Sequence, residues 1–143
     1  MARPTSEEKR TAILNAAVRL IAEQGTGVST AKIARAAGVA EGTVFVYFET
    51  KAALMEALLL ELEGELAKAF AFEALPGDRG RADFHHIWSG LIDWGVQHPQ
   101  RWRTLKRLKV SELVSDDCRR KGEALFVEAA GVLDTTIARH SRP

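Results

Sequence analysis

Cysteine, net charge and long apolar runs are all scarce in this sequence, and each shortage excludes a class of protein. The single cysteine, Cys118, excludes an intramolecular disulfide framework and a cysteine-based zinc site. The longest apolar runs are broken by Glu or Arg within a few residues, so we predict no membrane span. The first eight residues lack the apolar core of a signal peptide, and we therefore expect a cytoplasmic protein.

The balance of charge does not by itself indicate a nucleic-acid partner. The 143 residues include 20 Lys and Arg against 19 Asp and Glu, which gives a net charge of +1. Residues 1–51 carry seven basic and five acidic side chains. This small positive surplus has the sign expected of a DNA-binding head, but it is too small to decide the question.

Catalytic and metal-binding motifs are absent from the sequence. There is no glycine-rich phosphate loop before a helix, no HExxH and no GxSxG, so we expect neither an enzyme nor a cofactor. His85 and His86 are adjacent and would project about 100° apart on a helix, which disfavours joint chelation. We therefore predict no metal site.

The hydrophobic pattern predicts an all-α protein. Thr5 and the glutamate three residues later have the spacing of a capping box, and apolar residues then recur at helical spacing up to Gly25, which predicts a helix over 6–24. Ser29 is a good N-cap for a short second helix that Gly38 would end. Further helices are predicted over 51–71, up to His98–Pro99, over 102–113 and from about 116 to 140, with a loop over 75–80.

The segment from Val44 to Phe48 is ambiguous. Its β-branched and aromatic residues favour a strand by propensity alone. A lone strand needs a partner, however, and no other segment has a strand-like pattern. Val44 and Phe48 also have the i, i+4 spacing of one helical face, so we predict a short helix here.

Residues 29–48 therefore have the anatomy of a helix-turn-helix. Two short helices are joined by a tight turn at Gly38, with the small Ala34 where the helices must approach closely. This motif presents its second helix to the major groove of DNA. A plain helical corner fits the same pattern.

The sequence from Ser29 to Leu54, STAKIARAAGVAEGTVFVYFETKAAL, closely resembles the head of the TetR/AcrR family of bacterial transcriptional regulators. With the amphipathic first helix, the resemblance covers about residues 6–62. It implies an all-α fold, with a three-helix helix-turn-helix DNA-binding head over 1–50 and a helical effector-binding and dimerisation body over 51–143.

The function implied by the resemblance is that of a ligand-responsive, sequence-specific regulator of transcription. Such a protein is a homodimer that binds a palindromic operator in double-stranded DNA, and a small molecule releases it when it acts as a repressor. An activator would make the same contacts. Family members usually run to about 200 residues, so this chain has a reduced dimer interface, is a short member, or is a truncated form.

The resemblance also assigns DNA contacts residue by residue. The positions that match phosphate contacts are Thr30, Thr43, Tyr47 and Lys51. The positions that match the exposed face of the recognition helix are Glu41, Gly42, Thr43, Phe45 and Val46.

Three of these positions depart from the family's usual residues. Members often carry Lys or Arg in place of Glu41, Tyr in place of Phe45, and a polar residue in place of Val46. The two apolar side chains can contact thymine methyl groups, whereas Glu41 can either accept from cytosine N4 or repel phosphates. We therefore expect modest direct readout, with more weight on backbone contacts and DNA shape. A helical protein-interaction module that lost operator recognition is the alternative.

The body of family members binds a small molecule between its helices. The candidate effector-binding residues here are Leu62, Trp88, Leu91, Trp94, Trp102 and Phe126. A structural role in the core is the competing interpretation, and Trp94 is the best pocket or interface candidate because it lies off the main apolar stripe. The candidate dimer-interface residues are Leu125, Phe126, Ala129, Val132 and Leu133.

Two further features have open interpretations. Cys118 precedes Arg119 and Arg120, which would suit a redox sensor, but an ordinary unreactive thiol is the favoured interpretation. The basic cluster between Arg101 and Lys109 is either a solvated face or a secondary contact with DNA or an acidic partner.

Overall fold

The first helix is fixed at both ends by the residues that the sequence pattern indicated. At its start, the Thr5 hydroxyl accepts from the Glu8 backbone N–H and the Glu8 carboxylate accepts from the Thr5 N–H, both at 3.1 Å. At its end, Gly25 has φ 86°, a left-handed value that favours glycine. The helix spans Ser6–Gln24, so the prediction for 6–24 is confirmed.

A computed structural model describes residues 5–71 and 80–125, with side chains described for 5–69 and 89–125. All regular structure in these ranges is helical, which confirms the all-α prediction. The helices are α1 Ser6–Gln24, α2 Thr30–Ala37, α3 Glu41–Tyr47, α4 Lys51–Ala71, α5 Gly80–Gln97, α6 Pro99–Lys109 and α7, described over 116–125.

A glycine turn separates α2 from α3. Ser29 caps α2, and Gly38 ends it in the left-handed conformation with φ 76°. The Gly38 N–H donates to the Arg35 carbonyl at 3.2 Å, and the Val39 N–H donates to the Ala34 carbonyl at 3.0 Å. These two hydrogen bonds satisfy carbonyls that have no partner within the helix at its C-terminus. They also reverse the direction of the chain, so that α3 begins only three residues after Gly38.

The ambiguous segment is a helix. Val44 and Phe48 are 1% and 5% exposed, whereas Val46 between them is 80% exposed. The guanidinium of Arg10 on α1 lies 5.5 Å from the centre of the Phe48 ring, which adds a cation–π contact at the end of α3. The helix prediction is confirmed, because burial of the i, i+4 pair outweighs strand propensity.

The described residues form two compact units. The first unit contains residues 5–59 together with Gln100–Ser115. The second contains Leu60–Pro99 and the chain from Asp116 onward.

Helix α6 packs against α1 within the first unit. The Thr104 hydroxyl is fully buried and donates to the Val18 carbonyl at 2.6 Å. Nearby, the Arg101 guanidinium donates to the Asn15 side-chain oxygen at 3.3 Å. The turn after α6 is held to α4, because the Ser115 hydroxyl donates to the Glu56 carboxylate at 2.7 Å.

The bounds of α6 differ from the predicted 102–113. The helix starts at Pro99 because proline suits the first helical turn, where its missing N–H costs nothing. It ends at Lys109 because Ser111 forms a turn: its N–H donates to the Leu108 carbonyl at 3.1 Å and its carbonyl accepts from Val114 at 3.2 Å.

Two other predicted boundaries concern residues at the edges of the described ranges. The predicted loop 75–80 is wrong at its last residue, because α5 begins at Gly80, and 75–79 lie outside the described residues. The last predicted helix is confirmed over 116–125, and the rest of it lies outside the described residues.

Thr104→Val should weaken the attachment of α6 to α1. The substitution keeps the shape of the side chain but removes a buried hydrogen bond, so we expect the free energy of unfolding to fall by about 1 kcal/mol. Chemical denaturation measures this. As a control, Thr104→Ser keeps the hydroxyl and loses only the buried methyl group. A free energy of unfolding that Thr104→Val leaves unchanged would show that the hydrogen bond contributes nothing.

The second unit has an apolar interior in which the acidic side chain of Glu63 is buried. Leu62, Leu66 and Trp94 are buried, and the Trp94 ring lies 5.5 Å from that of His98. Glu63 is only 2% exposed. Gly122 leaves room for it, since a Cβ at that position would lie 3.3 Å from Glu63 Cγ.

Candidate nucleic-acid interface

The third helix presents a buried face and an exposed face. Val44 anchors it in the core of the first unit. On the outside, Val46 is 80% and Phe45 41% exposed, and Glu41 and Gly42 at the start of the helix are also exposed. These four side chains are therefore accessible to a macromolecular partner such as a DNA duplex.

The positions matched to phosphate contacts lie at the starts of helices or on α3. Thr30 is the first residue of α2, and Lys51 is the first residue of α4. Thr43 and Tyr47 lie on α3, and all four side chains are half-buried. Thr30, Thr43 and Lys51 therefore lie in the first turns of helices, where backbone N–H groups and the helix dipole also favour anions. Tyr47 is instead the last residue of α3.

The start of α4 is well defined. The Thr50 hydroxyl accepts from the Ala53 backbone N–H at 3.0 Å, which makes Thr50 the N-cap of α4. The cap fixes the backbone on which Lys51 sits, immediately after the recognition helix.

One hydrogen bond links the two helices of the motif through their exposed side chains. The Thr30 hydroxyl donates to the Glu41 carboxylate, with 3.1 Å between Oγ1 and Oε1. Sequence analysis missed this contact because the residues are 11 positions apart and no local pattern joins them. It joins a predicted phosphate contact to a predicted base-reading residue.

The hydrogen bonds of α6 to α1 lie on a different flank of α1 from the contacts of the motif. Helix α6 contacts α1 at Asn15 and Val18. The helix-turn-helix contacts α1 at two other positions. The Arg10 guanidinium lies over the Phe48 ring, and the Gln24 side-chain oxygen accepts from the Lys32 ammonium at 3.5 Å. At 100° per residue these two sets of positions on α1 are roughly 130° apart around its axis. Arg107 of the cluster nevertheless lies close to the connection that leads into the motif, because a Cβ on Gly25 would be 3.1 Å from its Nη1. A secondary contact of the cluster with DNA or an acidic partner therefore stays a prediction.

The candidate effector residues fall in both compact units. Leu62 and Trp94 are buried in the second unit, and Leu91 is half-buried there. Trp102 belongs to the first unit, with the Lys106 ammonium 5.9 Å from its ring centre. The side chain of Trp88 lies outside the described residues, as does Phe126.

Of the candidate dimer residues, only Leu125 is described. It is half-buried at the end of the described part of α7. The other candidates outside the described residues are Phe126, Ala129, Val132 and Leu133.

Three further features of the described residues concern metal binding, membrane spans and the cysteine. No three His, Cys, Asp or Glu side chains there are grouped so that they could hold a metal ion. None of the described helices is both long and apolar enough to cross a membrane. Cys118 is only 4% exposed, which does not suit a sensor that must meet an oxidant.

The fold and the exposed α3 define a helix-turn-helix protein, the class whose second helix reads DNA. Comparison with known proteins agrees. The sequence pattern of the bacterial regulatory proteins of the tetR family matches residues 13–58. The fatty acid metabolism regulator protein of Bacillus subtilis (strain 168) is 44% identical over 54 residues, which are 37% of this chain and 28% of that protein. The chain thus matches just over a quarter of that relative's length.

Solved structures resemble a larger part of the chain. A crystal structure assigned to the TetR family of transcription regulators from Shewanella sp. PV-4 is 32% identical with a TM-score of 0.76, covering 92% of this chain and 69% of that one. A TetR family transcription regulator from Marinobacter aquaeolei VT8 is 25% identical with a TM-score of 0.80, covering 90% and 68%. The chain therefore belongs to the TetR family of bacterial regulatory proteins.

Proposed function

We propose that the protein is a ligand-responsive repressor of transcription that places α3 in the major groove of a palindromic operator. The observation that carries this proposal is the outward face of α3, set by the Gly38 turn and the burial of Val44. A helix presented in this way fits the major groove, while the helix before it crosses the phosphate backbone.

Phosphate contacts supply most of the affinity in this proposal. Thr30, Thr43 and Tyr47 offer hydroxyl donors, and Lys51 offers a charge at the start of α4. Such contacts fix the register of the protein on the duplex but carry no sequence information.

Direct readout is modest in this proposal, because the outer face of α3 is apolar. Phe45 and Val46 contact thymine methyl groups, and the remaining selectivity comes from the shape and deformability of the DNA.

A helical protein-interaction module is the second candidate. The exposure of Val46 favours it, since an apolar side chain that is 80% exposed suits a protein partner as well as a thymine methyl. In that case the chain would have kept the head fold without operator recognition.

Selection from random duplex DNA at moderate salt distinguishes the two candidates. Enrichment of a palindrome with half-sites about one helical turn apart, or a multiple of that, supports the repressor. Recovery of unenriched sequence after several rounds, from a protein shown to be folded by circular dichroism, rejects it and leaves the interaction module.

Lys51→Ala should reduce the salt dependence of DNA binding. Each lost phosphate contact lowers the magnitude of the slope of log K against log salt by about 0.9. A salt titration of operator binding by fluorescence anisotropy measures the slope.

Lys106→Ala is the matched control for this titration. Lys106 is an exposed lysine of the same compact unit, but it lies on α6, away from the motif. We expect its removal to leave the slope unchanged. If both variants or neither variant shifted the slope, Lys51 would lose its assignment as a specific phosphate contact.

Ligand response and dimerisation are further parts of the proposal. Leu62, Leu91 and Trp94 of the second unit are the described side chains proposed for the effector site, and fatty acids are the first probes because the Bacillus relative regulates fatty acid metabolism. Release of operator DNA by a probe supports the repressor mechanism.

We also propose a cytoplasmic homodimer. Monomers only, in light scattering at high protein concentration, would reject the dimer.

A further inference from the structure

We propose that Glu41 is a specificity-determining residue of the interface, acting as a gate on the Thr30 hydroxyl. Its carboxylate releases that hydroxyl to a DNA phosphate only where a base amino group, above all cytosine N4, takes the hydrogen bond instead. This inference rests on the proposed function, because it assumes that α3 lies in the major groove.

The first step concerns the single proton of the Thr30 hydroxyl. A threonine hydroxyl has one O–H to donate, and a phosphate diester offers only acceptors. In the structure that proton is directed to Glu41, at 3.1 Å. The hydroxyl therefore cannot donate to a phosphate while it donates to the carboxylate.

The second step concerns charge. A phosphate oxygen accepting from Thr30 would lie about 2.7 Å from Oγ1. Since Glu41 Oε1 lies 3.1 Å from the same atom, the two anionic oxygens would be at most about 6 Å apart. Glu41 thus disfavours a phosphate at Thr30 both by occupying the donor and by repulsion.

The third step concerns where the carboxylate can go. Glu41 is exposed at the first position of α3, so its side chain can swing away from Thr30 without unpacking the core. When α3 lies in the groove, this position faces base edges. A cytosine N4 amino group there would donate to the carboxylate, which compensates the broken hydrogen bond and moves the charge away from the phosphate.

The gate makes binding conditional. On a duplex without an amino group at that position, the carboxylate stays near Thr30 and the affinity is lowered. On the matching operator the base amino group removes this loss of affinity. Glu41 thus allows the recognition helix to distinguish DNA sequences, although its other outward side chains are apolar.

The test measures the affinity of wild type, Glu41→Ala, Thr30→Val and the double variant for the selected operator and for a scrambled duplex. We expect Glu41→Ala to bind the scrambled duplex roughly 3- to 10-fold more tightly, the range that one screened charge repulsion gives. Repeated selection with this variant should no longer enrich cytosine opposite the start of α3. On the scrambled duplex, Thr30→Val should cost more affinity in the Glu41→Ala background than in wild type, because without a cytosine amino group the wild-type carboxylate keeps the hydroxyl from the phosphate.

Two further variants keep the test decisive. Glu41→Gln removes the charge repulsion but keeps the side-chain length and the acceptor oxygen. We therefore expect it to bind the scrambled duplex more tightly than wild type while it keeps part of the cytosine preference, a result that is informative even if the alanine variant folds poorly. Glu23→Ala removes an exposed carboxylate of the same unit at the last turn of α1, and we expect it to leave base preference unchanged.

The failure of this inference differs from the failure of the proposed function. If wild type binds a selected palindrome and Glu41→Ala binds scrambled DNA no more tightly, or keeps the cytosine preference, the gate is rejected and the repressor stands. If neither wild type nor Glu41→Ala binds any duplex, both are rejected. Binding by Glu41→Ala to duplexes that wild type refuses supports both.

Discussion

Val44→Asp is expected to unfold the first compact unit, whereas Val46→Asp, two residues further on, is expected to leave its stability unchanged. Val44 is 1% exposed, so an aspartate there buries a charge without a partner and should lower the free energy of unfolding by at least roughly 3 kcal/mol. Val46 is 80% exposed, and a substitution at such a position changes stability by about 0.5 kcal/mol or less. Thermal denaturation followed by circular dichroism separates the two outcomes.

The two variants should also separate folding from DNA binding. Val46→Asp places a negative charge on the face of α3 that is proposed to meet the operator, so we expect a folded protein with at least a tenfold loss of affinity, about 1.4 kcal/mol. Anisotropy with operator DNA measures this. A Val46→Asp protein that is folded and binds like wild type would remove Val46 from the interface.

The comparison is also a direct test of helix against strand. Side chains two positions apart share one face of a strand, but they project about 200° apart on a helix. If the segment were a strand, both substitutions would therefore have similar effects on stability. Equal losses from Val44→Asp and Val46→Asp would contradict the helical assignment of α3 and, with it, the proposed recognition surface.

The helices of the head could be predicted because their signals are local. The capping box at Thr5, the N-cap at Ser29 and the left-handed glycine at Gly38 each act over four or five residues, so they are legible in the sequence. The segment 44–48 shows the limit of this approach, since propensity pointed to a strand and the result depended on which side chains were buried.

The long-range contacts of the first compact unit could not be predicted. The Thr104 hydroxyl meets the Val18 carbonyl across 86 positions of sequence, and no periodicity reports such a pairing. Thr30 and Glu41 are 11 positions apart, but their contact depends on the angle between two helices. The contact that adjusts the proposed DNA interface is therefore of the kind that only a three-dimensional structure shows.

The body was harder to interpret than the head for a related reason. When a helix is apolar over a broad face, its sequence does not indicate which of its polar residues are buried. Glu63 stands in a run of alternating leucines and glutamates, yet it is buried while Glu61 is exposed. Its burial depends on the space that Gly122 leaves in α7, far away in sequence.

Gly25→Ala is expected to lower the free energy of unfolding by about 1–3 kcal/mol. Gly25 has φ 86° and ψ −179°, a backbone conformation that is essentially restricted to glycine and costs other residues about that much. An added Cβ would lie 3.1 Å from Arg107 Nη1, but the end of a flexible side chain can move away, so backbone strain is the main term. Chemical denaturation of the purified variant measures the loss.

The backbone strain matters because Gly25 connects the end of α1 to the segment that leads to α2. The Gly25 N–H donates to the Ile21 carbonyl at 2.8 Å to close α1, and its carbonyl accepts from Val28 at 3.3 Å to direct the chain toward α2. A side chain at this position must either keep the unfavourable dihedral angles or give up one of these bonds. Either response destabilises the start of the helix-turn-helix, so we expect operator affinity to fall as well.

Gly27→Ala is the matched control, two residues further along the same connection. Its φ lies outside the positive range, and a Cβ there would meet no atom within 4 Å. We therefore expect a change in stability of no more than about 0.5 kcal/mol, with a slight gain because alanine restricts the unfolded chain. Equal losses from Gly25→Ala and Gly27→Ala would mean that side-chain bulk in the connection, rather than the left-handed backbone at Gly25, limits the stability of the head.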